Sequence, residues 1–308
     1  MYHTAMHKTV QKQSTNVTAL EIKVKSKHKK NALIWAIAAA VFVLFCVAAF
    51  WQGLTVRTYT EATDKVSASI RIAVLTDLHD SAYGKNEETL IAAIQKQEPD
   101  LILLVGDIAD DERSHDATEQ LLAAIGSEYP CYYVSGNHEY WSNNITAIED
   151  MIRSYGVTIL EGDSKIVQVG EQRIRLCGID DPDGFNSTYR TDHDETESWQ
   201  EQFDACQAQT GDDIYFILMS HRPELVEEYQ NSGFDLVVAG HAHGGQFRIP
   251  GILNGFYAPN QGFFPKYAGG RYELGDTVMI VSRGLSKSRL PRIFNPPELV
   301  IVNIEPAN

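Results

Sequence analysis

Cysteine is scarce in this chain of 308 residues, and no two of its four cysteines lie close together in the sequence. Zinc-ribbon and redox motifs need cysteine pairs a few residues apart, so both are excluded. Cys131 and Cys177 lie in apolar, strand-like segments, where buried thiols are expected rather than a disulfide framework. Internal repeats and low-complexity segments are also absent, which excludes a repeat architecture.

Positive charge is scarce outside the first residues of the chain. The whole chain carries a net charge of −15, whereas residues 1–31 hold seven lysines and one acid, a net charge of +6. Residues 32–308 therefore carry −21, the difference between −15 and +6. A body this acidic repels a phosphate backbone, so we expect no nucleic acid partner.

Charge is missing altogether from the twenty residues 32–51, "ALIWAIAAAVFVLFCVAAFW". This is the length that crosses a bilayer as a helix, and the segment lacks the polar stripe of a buried core helix. A cleaved signal peptide is the alternative, but its apolar region is usually 7–15 residues long. We predict an uncleaved, single-pass anchor in the cell membrane. The lysine-rich segment 23–30 should stay cytoplasmic, which places the remaining chain outside the cytoplasm.

The sequence thus predicts four regions: a basic head (1–31), the anchor (32–51), a polar linker (52–69) and a folded domain (70–308). In the domain, short apolar segments alternate with amphipathic ones, a pattern typical of β-strands alternating with helices. The first three strands are continuously apolar, which indicates a buried parallel sheet, and a later hairpin adds antiparallel strands. The fold class is therefore α/β.

Five apolar segments of this domain end in oxygen or nitrogen donors, never in sulfur. The donors are Asp77, His79, Asp107, Asn137, His138, His221, His241 and His243. Asp77, Asp107 and Asn137 are spaced by 30 residues, the length of one βαβ unit, and ligands bind beyond the carboxyl ends of such strands. Each residue alone also fits an ordinary turn or helix cap, and the acids that follow Asp107 also fit a solvated turn. Together they predict a metal site, whose donors suit manganese, iron or zinc.

The motifs "DLH", "GDIAD", "GNHE", an isolated "SH" and "GHAH" occur in this order and resemble the signature of calcineurin-like metallophosphoesterases. The resemblance covers about residues 70–303. It implies a two-sheet β-sandwich flanked by helices (αββα), with two divalent metal ions at the strand ends. One ion would take Asp77, His79, Asp107 and His243, and the other Asp107, Asn137, His221 and His241. Asp107 would bridge the ions, and His138 would be the catalytic residue that faces the substrate.

Two cations a few ångströms apart can clamp the attacking and leaving oxygens of an in-line displacement, and a hydroxide between them is a nucleophile near neutral pH. We therefore expect hydrolysis of a phosphodiester, phosphomonoester or pyrophosphate. A phosphoprotein phosphatase of the same chemistry and a non-catalytic, membrane-tethered metal sensor are the alternatives.

Two further segments bear on the substrate. Residues 249–275 are rich in glycine and aromatic residues, and form either an apolar wall beside the metals or a loop that packs its rings inward. Arg283 and Lys287 are candidate phosphate-binding residues, although pairing with surface acids is equally consistent with their charge. The motifs "GHAHGGQFRIP" and "APNQGFFPKYAGGRY" resemble a bacterial branch of membrane-associated phosphoesterases, which makes a small-molecule or lipid-linked phosphate ester the expected partner.

Overall fold

The computed structural model describes residues 2–189, 198–209, 213–287 and 291–307. The chain divides into two compact units, Met1–Phe50 and Trp51–Asn308. The first unit is one helix, α1 (Tyr2–Ala49). Its part Lys27–Ala49 has a mean hydropathy of 2.7 and is long and apolar enough to cross a membrane, properties that signal sequences share.

The second unit contains two six-stranded sheets, a small hairpin and short helices. Its helices are α2 (Glu88–Gln95), α3 (Asp116–Ile125), α4 (Asn137–Trp141), α5 (Ile145–Ser154), α6 (Trp199–Gln207) and α7 (Val226–Tyr229). Its strands are β1 (Thr55–Thr63), β2 (Ile70–Leu75), β3 (Leu101–Val105), β4 (Cys131–Val134), β5 (Thr158–Ile159), β6 (Ser164–Val169), β7 (Gln172–Gly178), β8 (Tyr215–Met219), β9 (Leu236–Ala239), β10 (Tyr257–Ala258), β11 (Gly262–Phe263), β12 (Gly270–Leu274), β13 (Thr277–Val281) and β14 (Glu298–Pro306).

The first sheet has the strand order β1-β14-β2-β3-β4-β5 and the second has the order β12-β13-β9-β8-β7-β6. Strands β2 to β5 run parallel, as do β7, β8, β9 and β13, while β14 pairs with β2 and β6 with β7 in antiparallel fashion. The hairpin predicted after β6 is present. The parallel strands at the centre match the sequence pattern, and the antiparallel pairs lie on one side of the first sheet and at both edges of the second.

Three hydrophobic layers hold these sheets. Alternate side chains of β2, such as Ile72 and Val74, pack between the two sheets, while Ala73 and Leu75 point to the opposite face. That face is covered by apolar side chains of α2, α3 and α5. Apolar side chains of α6 and α7 cover the outer face of the second sheet. Strands buried on both faces read as continuous apolar segments, and the predicted helix-flanked sandwich is confirmed.

The predicted linker 52–69 is wrong in its central part. Residues Thr55–Thr63 form β1, which pairs in parallel with β14 over its full length. The segment reads as polar because β1 is an edge strand with one exposed face, where threonine and charged residues are common. Its Glu61 is nevertheless buried, because its carboxylate accepts two hydrogen bonds from the Arg271 guanidinium, at 2.7 and 3.0 Å. The folded domain therefore begins before residue 70.

The cysteines also differ from the expectation. Cys177 on β7 and Cys206 on α6 form a disulfide, so the prediction of a free thiol at Cys177 is wrong. Their separation of 29 residues gives no sequence signal, and only the packing of α6 on the second sheet brings them together. Cys131 is a buried free thiol, as predicted.

Candidate metal centre

The eight donors predicted from the strand ends come from both sheets. Strands β2, β3 and β4 of the first sheet end two or three residues before Asp77, Asp107 and Asn137. Strands β8 and β9 of the second sheet end two residues before His221 and His241. The site therefore lies where the carboxyl ends of the two sheets meet, rather than at the edge of one sheet.

Three groups of donor atoms form at this junction, each with its atoms within 4.8 Å of one another. One is His79, Asp110 and His138, which adds no strand-end donor to the set, and the other two are the candidate metal sites. Asp107 belongs to both of these two groups. One consists of Asp77, His79, Asp107 and His243, and the other of Asp107, His221 and His241. These groups correspond to the two ligand sets expected from the motifs, with Asn137 as the additional amide donor of the second set.

Several of these donor atoms are buried without a hydrogen-bond partner in the described part of the chain. They are His79 Nε2, Asp107 Oδ2, Asn137 Oδ1 and His221 Nε2. His221 Nε2 and Asp107 Oδ2 lie 3.1 Å apart as an ion pair, which compensates these two atoms in part. Leaving a buried polar atom unpaired costs about 1–3 kcal/mol, so His79 Nε2 and Asn137 Oδ1 favour a further partner. Divalent cations provide that partner for a set of imidazole, carboxylate and amide donors. The residues present therefore fit two metal ions.

The Nδ1 atoms of three histidines contact neighbouring groups. His221 Nδ1 lies 2.9 Å from the Val105 carbonyl oxygen, to which it donates. His79 Nδ1 lies 3.2 Å from Asp110 Oδ2, and His243 Nδ1 lies 3.3 Å from Ser286 Oγ. Such contacts fix the ring and leave Nε2 free to bind a metal. Asp110 is thus part of the site, and the view of it as a solvated turn is wrong.

Burial and neighbouring charges shift the pKa values of the donor residues in different directions. Although burial acts against it, the negative charges of Asp107 and Asp77 raise the pKa of His221 to about 10. His221 in turn holds the pKa of Asp107 well below its usual range, again against the effect of burial. Burial lowers the pKa of His243 to about 4, and burial with the charge of Arg222 lowers the pKa of His241. His241 and His243 are therefore neutral near pH 7, the form of imidazole that binds metals, whereas His221 must lose a proton when a cation binds.

The backbone at these donors is strained. Asp77, His79, Asp107, His241 and His243 all have φ angles between 46° and 62°, a region that few residues other than glycine adopt. Strain of this kind collects at functional sites. Close approach explains the preceding glycines: a Cβ at position 240 would lie 2.6 Å from Asp77 Oδ2, and one at position 106 would lie 2.4 Å from His221 Nδ1.

Glu139 is the last residue of the motif "GNHE", and no role for it was inferred from the sequence. In the structure it joins the loops after β3 and β4. Its buried carboxylate accepts four backbone N–H bonds, from residues 107, 108, 109 and 136, at 2.7–3.1 Å. The same contacts fix Asp107 relative to the start of α4, where Asn137 and His138 lie. The signal for it was a glutamate three residues after Gly136 at a helix start, the pattern of a capping box.

His138 lines the cavity beside the two donor groups. Its Nδ1 lies 2.6 Å from Asp111 Oδ1, and its backbone N–H donates to Asp107 Oδ1 at 2.9 Å. The carboxylate that orients His138 is thus Asp111. The His79 ring stands edge-on to the His138 ring, with centroids 4.4 Å apart.

The cavity has a volume of about 430 Å³. It is lined by His79, Asp110, Asp111, Glu112, Arg113, His138, Trp141, His243, Gln246 and Ser286. Arg113 and Trp141 were not singled out from the sequence. Arg113 Nη1 donates to the His79 carbonyl oxygen at 2.7 Å, which brings its positive charge to the donors. Trp141 presents a half-exposed ring beside His138, with ring centroids 4.6 Å apart.

Arg283 and Lys287 do not belong to this lining. Arg283 is nearly buried, and its Nη1 lies 3.2 Å from Glu298 Oε2. The Lys287 ammonium lies 3.9 Å above the Tyr83 ring and donates to the Ala82 carbonyl oxygen at 2.6 Å. Both cations have structural partners inside the domain, a buried glutamate for Arg283 and a ring and a carbonyl oxygen for Lys287, rather than the surface acids of the alternative. The geometry gives no support to a substrate-binding role for them.

His241 has a different surrounding from the other histidines. Its Nε2 lies 2.9 Å from Asn260 Oδ1 and 3.2 Å from Arg222 Nη1. The Arg222 guanidinium is held by two short hydrogen bonds to the buried Asp181, at 2.5 and 2.7 Å. Asn260 lies in the turn between β10 and β11, so the aromatic segment of the chain reaches the second donor group.

The chain was compared with known proteins. The family model described as calcineurin-like phosphoesterase matches residues 70–245. The metallophosphoesterase YkuE of Bacillus subtilis is 26% identical over 77% of this chain and 80% of its own length. The phosphodiesterase YaeI of Escherichia coli is 24% identical over 77% and 83%. A dimetal phosphatase from Danio rerio is 13% identical, with a TM-score of 0.47, over 71% of this chain and 88% of its own. The five ordered motifs and the family match agree, and the chain belongs to the calcineurin-like phosphoesterases, as a metal-dependent phosphoester hydrolase.

Proposed function

We propose that this protein is a membrane-anchored enzyme that uses two divalent cations to hydrolyse a phosphodiester or another phosphate ester of a small-molecule or lipid-linked substrate. One observation carries the proposal: two donor groups share Asp107, and beside them His79 Nε2 and Asn137 Oδ1 are buried without a hydrogen-bond partner among the residues that the structure describes. When bound there, the cations would stabilise negative charge on the phosphoryl oxygens and lower the pKa of water.

Each donor residue has a defined part in this arrangement. Asp77, His79, Asp107 and His243 would hold one cation, and Asp107, Asn137, His221 and His241 the other. Asp107 offsets the repulsion between two positive ions because its carboxylate belongs to both groups. The histidine Nδ1 contacts keep the rings in place before the cations arrive, which reduces the reorganisation that binding requires.

His138 would transfer a proton to the leaving oxygen. Its Nδ1 is held by Asp111, so its Nε2 is the nitrogen available to the substrate, and the carboxylate stabilises the charged ring. Arg113 is the one guanidinium among the cavity-lining residues that the structure describes, and it would bind a phosphoryl oxygen. A purely metal-sensing site has no use for an oriented histidine beside the donors, which argues against the non-catalytic alternative.

The cavity favours a small substrate group. Its volume of about 430 Å³ falls in the range of small-molecule sites, about 300–1,000 Å³. The half-exposed Trp141 ring offers a flat apolar surface for the group attached to the phosphate. A phosphoprotein phosphatase needs a groove long enough for a polypeptide, so the cavity supports a small phosphate ester or a lipid headgroup instead.

The proposed location is the cell membrane, with the N-terminus in the cytoplasm and the catalytic unit outside. The uncharged segment 32–51 is long enough to span a bilayer, and seven lysines precede it. The Cys177–Cys206 disulfide supports an oxidising, extracytoplasmic compartment. Protease digestion of right-side-out and inverted vesicles tests this orientation. Digestion of the catalytic unit only in inverted vesicles would contradict it.

The activity test uses the full chain in detergent with added manganese and two reporters, bis-p-nitrophenyl phosphate and p-nitrophenyl phosphate. We expect manganese-dependent turnover that Asp107→Asn and His138→Ala each reduce by at least about 100-fold. Asp150→Asn, at an exposed aspartate of α5, and His28→Ala, at an exposed histidine, are matched controls that should keep full activity. Bound manganese without cleavage of either reporter would favour the metal sensor and contradict the proposal.

A further inference from the structure

The segment between the metal centre and β12 exposes an unusual set of apolar side chains. Among the residues that the structure describes there, those at least one third exposed are Ile249, Ile252, Phe256, Tyr257, Phe263 and Phe264, which we call the aromatic patch. Ile252 is 84% exposed, and Phe263 and Phe264 are each 66% exposed. The interpretation of this segment as a loop that packs its rings inward is therefore wrong for these residues.

The rings of the aromatic patch contact one another. Phe256 lies 5.3 Å from Phe263 and 5.7 Å from Phe264 between ring centroids, and Tyr257 lies 5.4 Å from Phe263. Phe264 has a φ angle of 59°, and its N–H donates to the Phe256 carbonyl oxygen at 2.8 Å. A bulky residue in this conformation is strained, so the fold holds the ring in an exposed position at a cost. Contiguous apolar surface of this kind marks an interaction site.

The aromatic patch lies close to the point where the chain enters the catalytic unit. Gln52 Nε2 donates to the Arg292 carbonyl oxygen at 3.0 Å. The neighbouring Ile293 pairs with Phe247, and the Phe247 ring lies 6.1 Å from that of Phe256. By this path the patch is within about 25 Å of Gln52, given the spacing of consecutive residues. Trp51, the last residue of the predicted anchor, immediately precedes Gln52 in the sequence.

Charge around the aromatic patch also differs from that of the rest of the unit. Residues 236–272 contain no Asp or Glu, although the chain has 41 acids in 308 residues. Lys266 is exposed and lies beside the patch, with its ammonium 4.9 Å from the Tyr267 ring centroid. Exposed aromatic rings beside a lysine, in a segment that itself contains no carboxylate, suit the interface of a bilayer that holds anionic lipids.

We propose that the aromatic patch docks on the bilayer that holds the chain's own N-terminal anchor. This inference rests on the membrane anchor of the proposed function. The chain would then contact the bilayer at two places, the anchor and the aromatic patch. Asn260, in the turn between β10 and β11, contacts His241, so the patch is connected to the second donor group. The substrate cavity would then be held at the membrane surface, where a lipid-linked phosphate ester is found.

The experiment uses the full chain with Cys46→Ala, reconstituted at one copy per nanodisc with anionic lipid. A polarity-sensitive fluorophore is attached at Ile252→Cys or, separately, at Phe263→Cys. Ile166→Cys is the matched control, because Ile166 is 52% exposed on the edge strand β6. We expect the two patch labels to emit at shorter wavelength than the control and to lose about half their intensity to shallow spin-labelled lipids, whereas the control loses none.

Three results would overturn the inference, two of them at one copy per nanodisc. One is retention of the chain in the nanodisc with patch labels that match the control in emission and quenching; this leaves the anchor standing. The other is loss of the chain from the nanodisc, which removes the anchor as well. A blue shift without lipid quenching, present only at two copies per disc, would assign the patch to a second copy and also contradict docking. Thermal unfolding that matches the unlabelled chain checks that each variant is folded.

Discussion

The replacement Glu139→Gln tests how the site is held together. Each carboxylate oxygen of Glu139 accepts two backbone N–H bonds, from the loop after β3 and from the start of α4. An amide nitrogen in place of one oxygen leaves two buried N–H groups unpaired, at about 1–3 kcal/mol each. We expect the free energy of unfolding to fall by about 2–6 kcal/mol.

Activity should fall as well, because Asp107 and His138 lie on the two loops that Glu139 joins. A displacement of about 1 Å at catalytic groups costs about 100-fold in rate, so we expect at least that loss in kcat/KM for bis-p-nitrophenyl phosphate. Urea unfolding followed by circular dichroism gives the stability, and the reporter assay gives the rate. Wild-type values of both in the variant would refute this account of Glu139.

Glu149→Gln is the matched control, at another buried glutamate, and it should act in the opposite direction. Burial, together with the charges of Glu161 and Asp180, raises the pKa of Glu149 to about 8, whereas an unfolded glutamate has a pKa of about 4.5. The folded state therefore binds more protons between these values, so stability falls as the pH rises from about 4.5 to 8. The glutamine variant should be more stable than wild type by about 5 kcal/mol at pH 9, the free energy of a pKa difference of about 3.5 units, and equal to it at pH 4. A wild-type advantage at pH 9 would contradict this reasoning.

Two further predictions concern the cavity and the disulfide. Asp111→Asn should lower kcat by about 10–100-fold without loss of bound manganese, because Asp111 orients His138 and does not bind a metal. Metal analysis and steady-state kinetics check this, and a parallel loss of metal would contradict it. Cys206→Ser should lower the free energy of unfolding by about 3 kcal/mol, the entropy of a closed loop of this length, with kcat unchanged; urea unfolding with and without a reductant checks it, and no change in the midpoint would refute it.

Much of the fold and most of the site follow from local sequence patterns. Continuous apolar segments become strands buried on both faces. A donor two residues past such a strand lies beyond its carboxyl end, and this placement depends only on the local sequence. That is why Asp77, Asp107 and His221 could be placed from the sequence. Their partners across the two sheets follow from the order of the motifs, which the family match supports.

The remaining features depend on contacts that no local pattern records. Strand β1 reads as a linker because only one of its faces is buried, and its partner β14 lies more than 200 residues away. Asp111 is an ordinary acid in the sequence, and the capping-box position of Glu139 does not show that its carboxylate also reaches the loop after β3. Lys287 has the charge expected of a phosphate-binding residue, but the position of the Tyr83 ring decides its contact. Exposure of the aromatic patch is likewise set by backbone conformation rather than by composition.

The central claim, a site for two cations that share Asp107, is tested most directly by counting metal ions. The full chain, purified in detergent and loaded with manganese, is passed over a desalting column, and bound manganese is measured by mass spectrometry. The account predicts about two ions per chain for wild type and for the Asp150→Asn control, and about one for His241→Ala, since the Asp77, His79, Asp107 and His243 group is intact in that variant. One ion or none in the wild-type chain would contradict it.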